Sequence, residues 1–408
     1  MIVEVHVDWR GETHFAGRLF AADQGQAVSF EYTSEWLAST DPFAIDPTSL
    51  PLRTGGFHAP SLFGAFQDCG PDRWGKVLIE RAVRKRVLAK KAYRDIDYVL
   101  ALDDETRLGA LRFRISGTHD FLATGSGKLP PLIRLNDLLM ITEAIHQEKE
   151  SAKDLRFLLG AGSPLGGARP KSAVEMVDGN LGMAKFPKPD DVRDIGAGEG
   201  LALTLARLAG IQTVDHHLML VNGRHVIVVK RFDRIGSERI PFVSAATMLG
   251  LPASDPGSYV QLADGIRLFG HNVTSDLKEL WRRLVFSLLL SNHDDHMRNH
   301  GFLMREPGRW ALSPAYDINP VPEIDRVHTA QTPISDDGDE ASIAAALNVA
   351  SRFGLRKEEA KAILKEILAT VKTWRTVGRK MKLKAGILDA YETAFEHELI
   401  FEAEQLVK

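Results

Sequence analysis

The segment from Ser275 to Leu290 most constrains the fold, because its apolar residues recur with helical spacing and it leads straight into a polar run. Ser275 is the expected N-cap, and Asp276 and Glu279 would lie in the first turn. The residues with the i, i+3, i+4 spacing of a buried helical face are Leu277, Leu280, Trp281, Leu284, Val285, Leu288 and Leu289. The pattern predicts a rigid helix that carries residues 291–300 at its C-terminal end.

The polar run from Ser291 to Phe302 has the spacing of a phosphoryl-transfer loop. Asp294 and Asn299 are five residues apart, as are the catalytic-loop Asp and Asn of protein kinases, and Asp317 follows downstream. Phosphoryl transfer needs hard oxygen ligands for Mg²⁺ and a carboxylate that orients the attacking hydroxyl. Asp294 would accept the hydroxyl proton, and Asn299 and Asp317 would bind the metal.

Two other interpretations of the same run remain open. A segment rich in Asp, Asn and His after a helix is often a polar loop without a catalytic role. The imidazoles of His293, His296 and His300 could instead bind zinc or a metal pair in a hydrolase. The loop-like sequence weakens that second interpretation, because the three histidines would share a face only in a helix.

Composition sets limits on the class of protein. A chain of 408 residues is too long for one ordinary core, so two or three domains are expected, and 44% hydrophobic with 26% charged residues is typical of a soluble protein. No apolar run approaches a membrane span, and the N-terminus lacks the features of a signal peptide. A single cysteine, Cys69, excludes an internal disulfide and fits the cytoplasm. A net charge of −3 argues against a large nucleic-acid footprint.

The N-terminal part is predicted to be rich in strands. Apolar and alternating residues indicate strands over about residues 1–35, and Pro71 is well placed to begin a helix. The Gly-, Thr- and Pro-rich segment from Gly117 to Pro131 is the expected lobe boundary.

A glycine-rich segment from Gly160 to Lys171 precedes two predicted strands, residues 172–176 and 181–186. Glycines let backbone N–H groups approach phosphate oxygens closely, although an ordinary flexible loop fits this segment equally well. The second strand carries Lys185, which would contact nucleotide phosphates, and Glu199 begins a predicted helix and could orient that lysine. The alternatives are a solvent-facing lysine and an acid that complements the helix dipole.

Asn222-Gly223 predicts a hairpin whose second strand runs into Lys230-Arg231-Phe232-Asp233-Arg234. In a two-lobed kinase this is the position of the adenine-contacting hinge, although the charged residues could equally form a structural ion-pair cluster. Downstream, a hairpin through Pro307-Gly308 would bring Asp317 towards the polar run, and the tail is predicted to be helical over residues 343–353, 360–371 and 388–406.

The order of these motifs resembles the HipA-like serine/threonine kinases, the toxin components of bacterial HipBA toxin–antitoxin modules. The resemblance spans nearly the whole chain. The matching segments are Asp68 with Pro71 to Gly75, Gly167 to Lys171, Ala184 to Pro187, Arg231 to Arg234, Ser291 to Phe302, and Leu312 to Pro320.

The resemblance implies that Mg²⁺ and ATP are the cofactors, that Asp294 is the catalytic base, and that Asn299 and Asp317 are the metal ligands. It implies Ser163 as the candidate for autophosphorylation. The implied nucleotide contacts are Gly166, Gly167, Ala168, Lys171, Lys185, Glu199, Val229, Lys230, Arg231, Phe232 and His296.

It also implies a helix-turn-helix HipB-like antitoxin as partner, with DNA contacted only through that antitoxin, and no membrane. Family members with assigned targets phosphorylate aminoacyl-tRNA synthetases, which makes a translation factor the expected class of protein substrate. The alternative function is a non-catalytic, ATP-binding co-repressor that acts with the antitoxin.

Together these observations predict an α+β, two-lobed kinase-like fold with a β-rich N-terminal part and an all-helical C-terminal lobe. Residues 1–120 would form a β-rich subdomain, 121–235 a nucleotide-binding N-lobe with the glycine-rich loop and hinge, and 236–408 a helical lobe with the catalytic loop.

Overall fold

The computed structural model describes residues 1–22, 24–122, 129–161, 167–326, 332–337 and 341–408. These residues divide into two compact units. The first contains Met1–Asp190, Leu220–Gly250 and Glu306–Gly308, and the second contains Asp191–Met219, Leu251–Arg305 and Arg309–Lys408. Most of the two segments predicted as separate, residues 1–120 and 121–235, therefore lies in one unit.

The strands are β1 Ile2–Trp9, β2 Glu12–Ala21, β3 Val28–Tyr32, β4 Gly56–Ala59, β5 Leu111–Ile115, β6 Lys171–Glu175, β7 Leu181–Lys185, β8 His216–Val221, β9 Arg224–Lys230, β10 Arg234–Ile235, β11 Glu238–Arg239, β12 Phe242–Ser244, β13 Gly301–Glu306 and β14 Arg309–Leu312.

The α-helices are α1 Ser34–Leu37, α2 Gly64–Asp68, α3 Arg73–Arg84, α4 Asp95–Leu100, α5 Leu135–His146, α6 Ala152–Ala161, α7 Ile195–Leu208, α8 Ala245–Met248, α9 Tyr259–Phe269, α10 Val273–Leu289, α11 Ile343–Asn348, α12 Lys357–Val371, α13 Trp374–Lys380, α14 Ala385–Asp389, α15 Glu392–Phe395 and α16 Glu398–Leu406. Short 3₁₀ segments occur at Leu132–Arg134, Glu323–Asp325 and Ala350–Phe353.

The first unit begins with an antiparallel sheet in the order β4-β3-β2-β1-β5. Alternation along β1 buries Val3, Val5 and Val7 on one face, as the period of two in a strand requires. Phe66 from α2 and Phe113 from β5 pack in the same core, with ring centroids 6.1 Å apart. The predicted N-terminal strands are thus confirmed.

The strands that follow the glycine-rich segment belong to a second sheet, in the order β6-β7-β9-β8. Lys171 is the register partner of Lys185, and Lys185 is that of Ile227. The edge strand β8 is joined to β9 by the tight Asn222-Gly223 turn, where both residues have positive φ, 48° and 75°. This is the two-residue hairpin that the sequence predicts.

The second unit is mainly helical and is built around α10. Every residue of the face predicted to be buried is buried except Leu288, which is half-buried, and Trp281 Nε1 also donates a hydrogen bond to Ala346 O at 3.2 Å. Helices α9, α12 and α16 pack against α10. The hairpin β13–β14 follows the polar run. The predicted α+β class is confirmed, and most of the β13–β14 hairpin lies in the helical unit.

Two predicted helix starts were wrong. Helix α10 begins at Val273, so Ser275 is not its N-cap, and Asp276 accepts a hydrogen bond from Leu312 N at 3.1 Å. Helix α7 begins at Ile195 rather than at Glu199, because Asp194 accepts from Ala197 N at 3.0 Å and caps it.

The C-terminal helix predicted over residues 388–406 is divided into α14, α15 and α16. The breaks fall where Tyr391 donates to Asp194 O at 3.0 Å and His397 contacts Leu289 O at 3.1 Å. Tertiary hydrogen bonds outweigh local helix propensity at these positions. Among the helices in the described part of the chain, none has both the length and the apolar character needed to cross a bilayer.

Candidate active site

The polar run leaves α10 through a sharp turn at Ser291, which adopts the left-handed conformation with φ 53°. Asn292 N donates to Ser287 O at 2.9 Å, and Val321 N donates to Ser291 O at 3.2 Å. His397 Nε2 lies 3.1 Å from Leu289 O, so this nitrogen carries the donated proton. The end of a buried helix is therefore fixed by three separate hydrogen bonds, which makes it a rigid base for the run.

Asp295 is a buried residue whose contacts hold the polar run in place. Its carboxylate accepts a hydrogen bond from the Tyr259 hydroxyl and lies 2.9 Å from His300 Nε2, and its backbone oxygen accepts from Thr332 Oγ1 at 2.9 Å. Burial by itself would raise the pKa of Asp295, but the charge and hydrogen bond of His300, with the Tyr259 hydroxyl, hold that pKa below its ordinary value. The adjacent Asp294 is exposed, so the two carboxylates of this pair have opposite environments.

The side chain of Asn299 is held in one orientation by a hydrogen bond from its amide nitrogen. Its Nδ2 donates to the backbone oxygen of Asp294 at 2.9 Å. Its Oδ1 is buried and has no hydrogen-bond partner among the residues that the structure describes. A buried acceptor left unsatisfied costs free energy, so an oxygen in this state is well suited to bind a cation.

Asp317 lies after β14 in the left-handed region, with φ 56°. Its Oδ1 accepts from Asn319 Nδ2 at 3.3 Å. The preceding segment is fixed by Ala315 N, which donates to Gln212 O at 2.7 Å, and by Arg283, which donates to Ser313 O at 2.9 Å. A non-glycine residue held in this conformation is a form of local strain that often occurs at functional sites.

Asn299 and Asp317 line one small cavity of the second unit, of about 20 Å³, and Asn292 and Asp295 also border it. The Tyr316 hydroxyl donates to Arg298 O at 2.9 Å and so ties the Asp317 segment to the polar run. Amide and carboxylate oxygens form a hard donor set, which Mg²⁺ prefers. The residues present thus fit a magnesium ion, and Asn299 and Asp317 are the ones that would hold it.

The three-histidine alternative is not supported. No group of three His, Cys, Asp or Glu side chains that could hold a metal occurs in the described ranges. His300 is engaged with Asp295, and burial lowers the pKa of His293. His296 is half-buried, and its Nδ1 has no hydrogen-bond partner within the described part of the chain.

In the first unit, Lys185 lies at the end of β7 and is 8% exposed. Lys171 is fully buried, and its Nζ forms an ion pair with Asp72 Oδ2 at 2.6 Å. Gly167 has φ 102°, a conformation that favours glycine, and Ala168 is exposed. Ser163 and Gly166 lie outside the described residues. The predicted roles of these residues stay predictions.

The predicted hinge, residues 229–232, lies where β9 ends. Arg231 N donates to Leu181 O at 2.9 Å, so the backbone is still part of the sheet at this point. The Arg231 guanidinium donates to both Asp233 oxygens at 2.6 Å and to Thr106 O at 2.9 Å. Its side chain therefore has the structural role that the sequence left open, and the backbone contacts to adenine predicted for Val229, Lys230 and Phe232 remain untested.

Glu199 lies in the second turn of α7 and is 2% exposed, so it is neither a first-turn acid nor a surface residue. Because Lys185 belongs to the first unit and Glu199 to the second, their pairing remains a prediction.

Sequence reasoning did not single out the residues that support the site. Tyr259, Asp295, Thr332 and, in the first unit, Asp72 have buried side chains or buried ion pairs that only the structure shows. The one available signal was the Asp294-Asp295 pair, since two adjacent acids in a loop rarely share one environment.

The sheet-based unit with a buried strand lysine, and the helical unit with acidic and amide side chains around one cavity, define a two-domain α+β protein. The model of the HipA-like C-terminal domain matches residues 163–374, and that of the HipA N-terminal domain matches residues 7–113. The first match alone covers more than half of the chain. The chain belongs to the HipA family.

Relatives and a solved structure agree with this assignment. The putative kinase Y4dM of Sinorhizobium fredii is 30% identical over 145 residues, which cover 31% of this chain and 35% of the relative. The putative kinase Y4mE of the same organism is 26% identical over 331 residues, 73% of each chain. The chain thus spans about a third of the first relative's length and nearly three quarters of the second's.

The HipA structure from a Shewanella oneidensis MR-1 complex of HipA, HipB and operator DNA superposes with a TM-score of 0.69. It is 18% identical, and the match covers 99% of this chain and 97% of that chain. At this identity the similarity establishes the fold.

Proposed function

We propose that this chain is a HipA-like serine/threonine kinase that transfers the γ-phosphate of ATP to a protein hydroxyl. The observation that carries the proposal is the Oδ1 of Asn299, which is buried without a hydrogen-bond partner among the described residues, while Asn299 lines the same cavity as the strained Asp317. The Asn299 side chain also binds the backbone oxygen of the exposed Asp294. The names of the relatives, putative kinases, support the same class of reaction.

Each residue has a separate task in this proposal. Asp294 accepts the proton of the attacking hydroxyl, and its exposure lets a protein substrate reach it. The Asn299 amide holds the Asp294 backbone oxygen, so the base and one metal ligand are positioned together. When Mg²⁺ is bound, it neutralises the charge that develops on the phosphate oxygens. Asp295, fixed by Tyr259 and His300, keeps the loop in place.

The nucleotide would be bound by the residues that the sequence assigns to it. Lys185 contacts the phosphates with Glu199 as its orienting carboxylate, the glycine-rich segment from Gly166 to Ala168 supplies backbone N–H groups, and residues 229–232 contact the adenine. Ser163 is proposed as an autophosphorylation site.

The proposed partner is a HipB-like helix-turn-helix antitoxin, since the structural relative was determined in a complex of HipA, HipB and operator DNA. DNA would be contacted through that antitoxin. The proposed substrate is a hydroxyl of a translation factor of the aminoacyl-tRNA synthetase class.

The test is phosphate transfer by the full chain with Mg²⁺ and labelled ATP, measured as autophosphorylation and as label on proteins of a cell lysate. Asp294→Asn is expected to reduce transfer by about 10²–10⁴-fold, because it removes the positioned base, and to leave ATP binding in place. Asp255→Asn is the matched control, because Asp255 is exposed and the hydrogen bond that its carboxylate accepts from Gly257 N at 2.9 Å can be kept by an asparagine oxygen.

Equal transfer by wild type and Asp294→Asn would contradict the kinase proposal. ATP binding without any transfer, together with tighter operator binding when a helix-turn-helix partner is added, would instead favour the non-catalytic co-repressor.

A further inference from the structure

The turn from Pro71 to Gly75 binds Lys171, the last residue of the glycine-rich segment. The proposed reaction gives this turn no role. Asp72 is the N-cap of α3, and its Oδ1 accepts from Gly75 N at 2.7 Å. Its Oδ2 forms the ion pair with Lys171 Nζ, and the two side chains are 4% and 1% exposed. One carboxylate thus begins a helix and neutralises a fully buried ammonium group.

Trp74 binds the backbone of the same lysine. Its indole N–H donates to Lys171 O at 3.1 Å. Phe186 N donates to Pro170 O at 2.8 Å, which makes Pro170 and Phe186 a hydrogen-bonded pair. The next pair, Lys171 with Lys185, is therefore a non-hydrogen-bonded pair, whose carbonyls point away from the partner strand. Because β6 is the edge strand of its sheet, that carbonyl faces outward, where the indole meets it.

The strand pairing connects this turn to the nucleotide-binding lysine. Side chains of directly opposed residues share a face of the sheet, and they are closest in non-hydrogen-bonded pairs. Lys171 and Lys185 thus carry two buried, like-charged side chains on one face at directly opposed positions, an arrangement that is destabilising without compensating charge. Asp72 supplies that charge at Lys171.

We propose that Asp72 and Trp74 are positioning residues of the nucleotide site, which fix Lys185 through the buried Asp72–Lys171 ion pair and the Trp74–Lys171 hydrogen bond. Lys171 is then the link between the N-terminal helix α3 and the strand of Lys185, rather than a phosphate ligand. This inference rests on the proposed function, in which Lys185 contacts the ATP phosphates.

The test measures the dissociation constant of Mg²⁺-ATP and the rate of phosphate transfer for the full wild-type chain and for four variants of it. Asp72→Asn and Lys171→Met each break the buried Asp72–Lys171 ion pair by removing one of its charges, and each is expected to weaken ATP binding about tenfold or more by displacing Lys185. The double variant Asp72→Asn/Lys171→Met removes both charges, and it is expected to bind within about threefold of wild type. Trp74→Phe keeps a ring but loses one hydrogen bond, and a weakening of about fivefold is expected.

The double variant and Trp74→Phe keep the test decisive if a single variant fails to fold. Asp97→Asn is the matched control, because Asp97 is also a buried helix-start carboxylate of the first unit, paired with Lys91 at 2.8 Å, and it contacts neither β6 nor β7 through any described hydrogen bond or ion pair. Its ATP affinity should equal that of wild type.

Two results would overturn the proposal. A double variant as weak as Lys171→Met would make Lys171 a direct phosphate ligand, and wild-type affinity in all four variants would show that the turn does not position Lys185. A wild-type chain that binds no ATP would remove the proposed function itself, and this proposal with it.

Discussion

Asn299 presents an amide oxygen whose surroundings are more informative than its identity. An asparagine at the end of a polar run is an ordinary loop residue, and its spacing from Asp294 alone left that interpretation open. The structure orients the amide, because Nδ2 is engaged by Asp294 O, and it leaves Oδ1 buried without a partner in the described residues. A neutral oxygen in that state gains most from a cation, since desolvation has already removed its water.

We therefore expect Mg²⁺ with ATP to raise the melting temperature of wild type and to raise that of Asn299→Ala much less. Binding at 100 times the dissociation constant stabilises a folded protein by about 2.7 kcal/mol, and the variant lacks one metal ligand. Thermal unfolding with and without Mg²⁺ measures the difference.

Asn222→Ala is not a suitable control, because Asn222 has positive φ. Asn180→Ala is the control, because it removes a half-buried asparagine of the first unit, whose side chain donates to Asp178 Oδ2 at 2.6 Å. That variant should keep the full magnesium-dependent shift. A shift of the same size in Asn299→Ala would show that the Oδ1 atom is not a ligand.

Helix α10 illustrates how an element is positioned from outside its own sequence. Its apolar face was predictable, but its C-terminal carbonyl at Leu289 is bound by His397, which is 108 residues away. Burial lowers the pKa of His397 from the ordinary 6.5 to about 4, partly offset by its hydrogen bond to Leu289 O. The neutral imidazole is thus part of the folded structure.

This burial predicts a pH dependence of stability. Between about pH 6.5 and pH 4 the unfolded chain binds a proton at His397 that the folded chain does not, so stability should fall as the pH is lowered through this range. The full effect is on the order of 3 kcal/mol. His397→Gln keeps an N–H donor without titrating, and urea unfolding at pH 7 and pH 5 should show a smaller loss for this variant.

His146→Gln changes an exposed histidine, and we expect it to retain the wild-type pH dependence. An unchanged slope in His397→Gln would mean that His397 is not neutral in the folded protein. Some slope should persist in any case, because burial also lowers the pKa of His293.

At the scale of the whole molecule, a buried ion cluster joins the N-terminal sheet region to the end of β9 inside the first unit. Asp233 is fully buried, accepts from Arg231 and Arg234 at 2.6 Å, and accepts from Gly109 N at 2.7 Å. Burial by itself would raise the pKa of Asp233, but the two guanidinium groups hold it well below its ordinary range. These contacts, with the bond from Arg231 to Thr106 O, join residues 106–109 of the segment predicted as the N-terminal subdomain to residues 231–234 of the segment predicted as the N-lobe.

Asp233→Ala is expected to lower the free energy of unfolding by about 3 to 5 kcal/mol, since it leaves buried guanidinium groups without their carboxylate. Asp137→Ala removes a surface ion pair of the same unit, with Arg134 at 2.9 Å, and should cost less than about 1 kcal/mol. Urea denaturation measures both. A cost below about 1 kcal/mol for Asp233→Ala would show that the cluster does not hold the unit together.

The secondary-structure elements and the order of the candidate site residues were predictable from the amino-acid sequence. Helical spacing in α10, strand alternation in β1 and the Asn222-Gly223 turn depend on local periodicity and backbone sterics, which a sequence displays directly. The positions of Asp294, Asn299 and Asp317 could be read for the same reason. Helix ends were harder to predict from the sequence. The break at His397, for example, depends on Leu289, a partner distant in the chain.

The burial of each polar group, and the hydrogen-bond or ion-pair partner that it finds, could be learned only from the tertiary structure. It shows that Asp294 is exposed whereas Asp295 is buried, and that Lys171 forms an ion pair with Asp72. It also shows that the Asn299 Oδ1 atom is buried without a hydrogen-bond partner in the described residues. The physical reason is that the cost of burying a charge or an acceptor depends on atoms brought together by folding, and no local pattern records them.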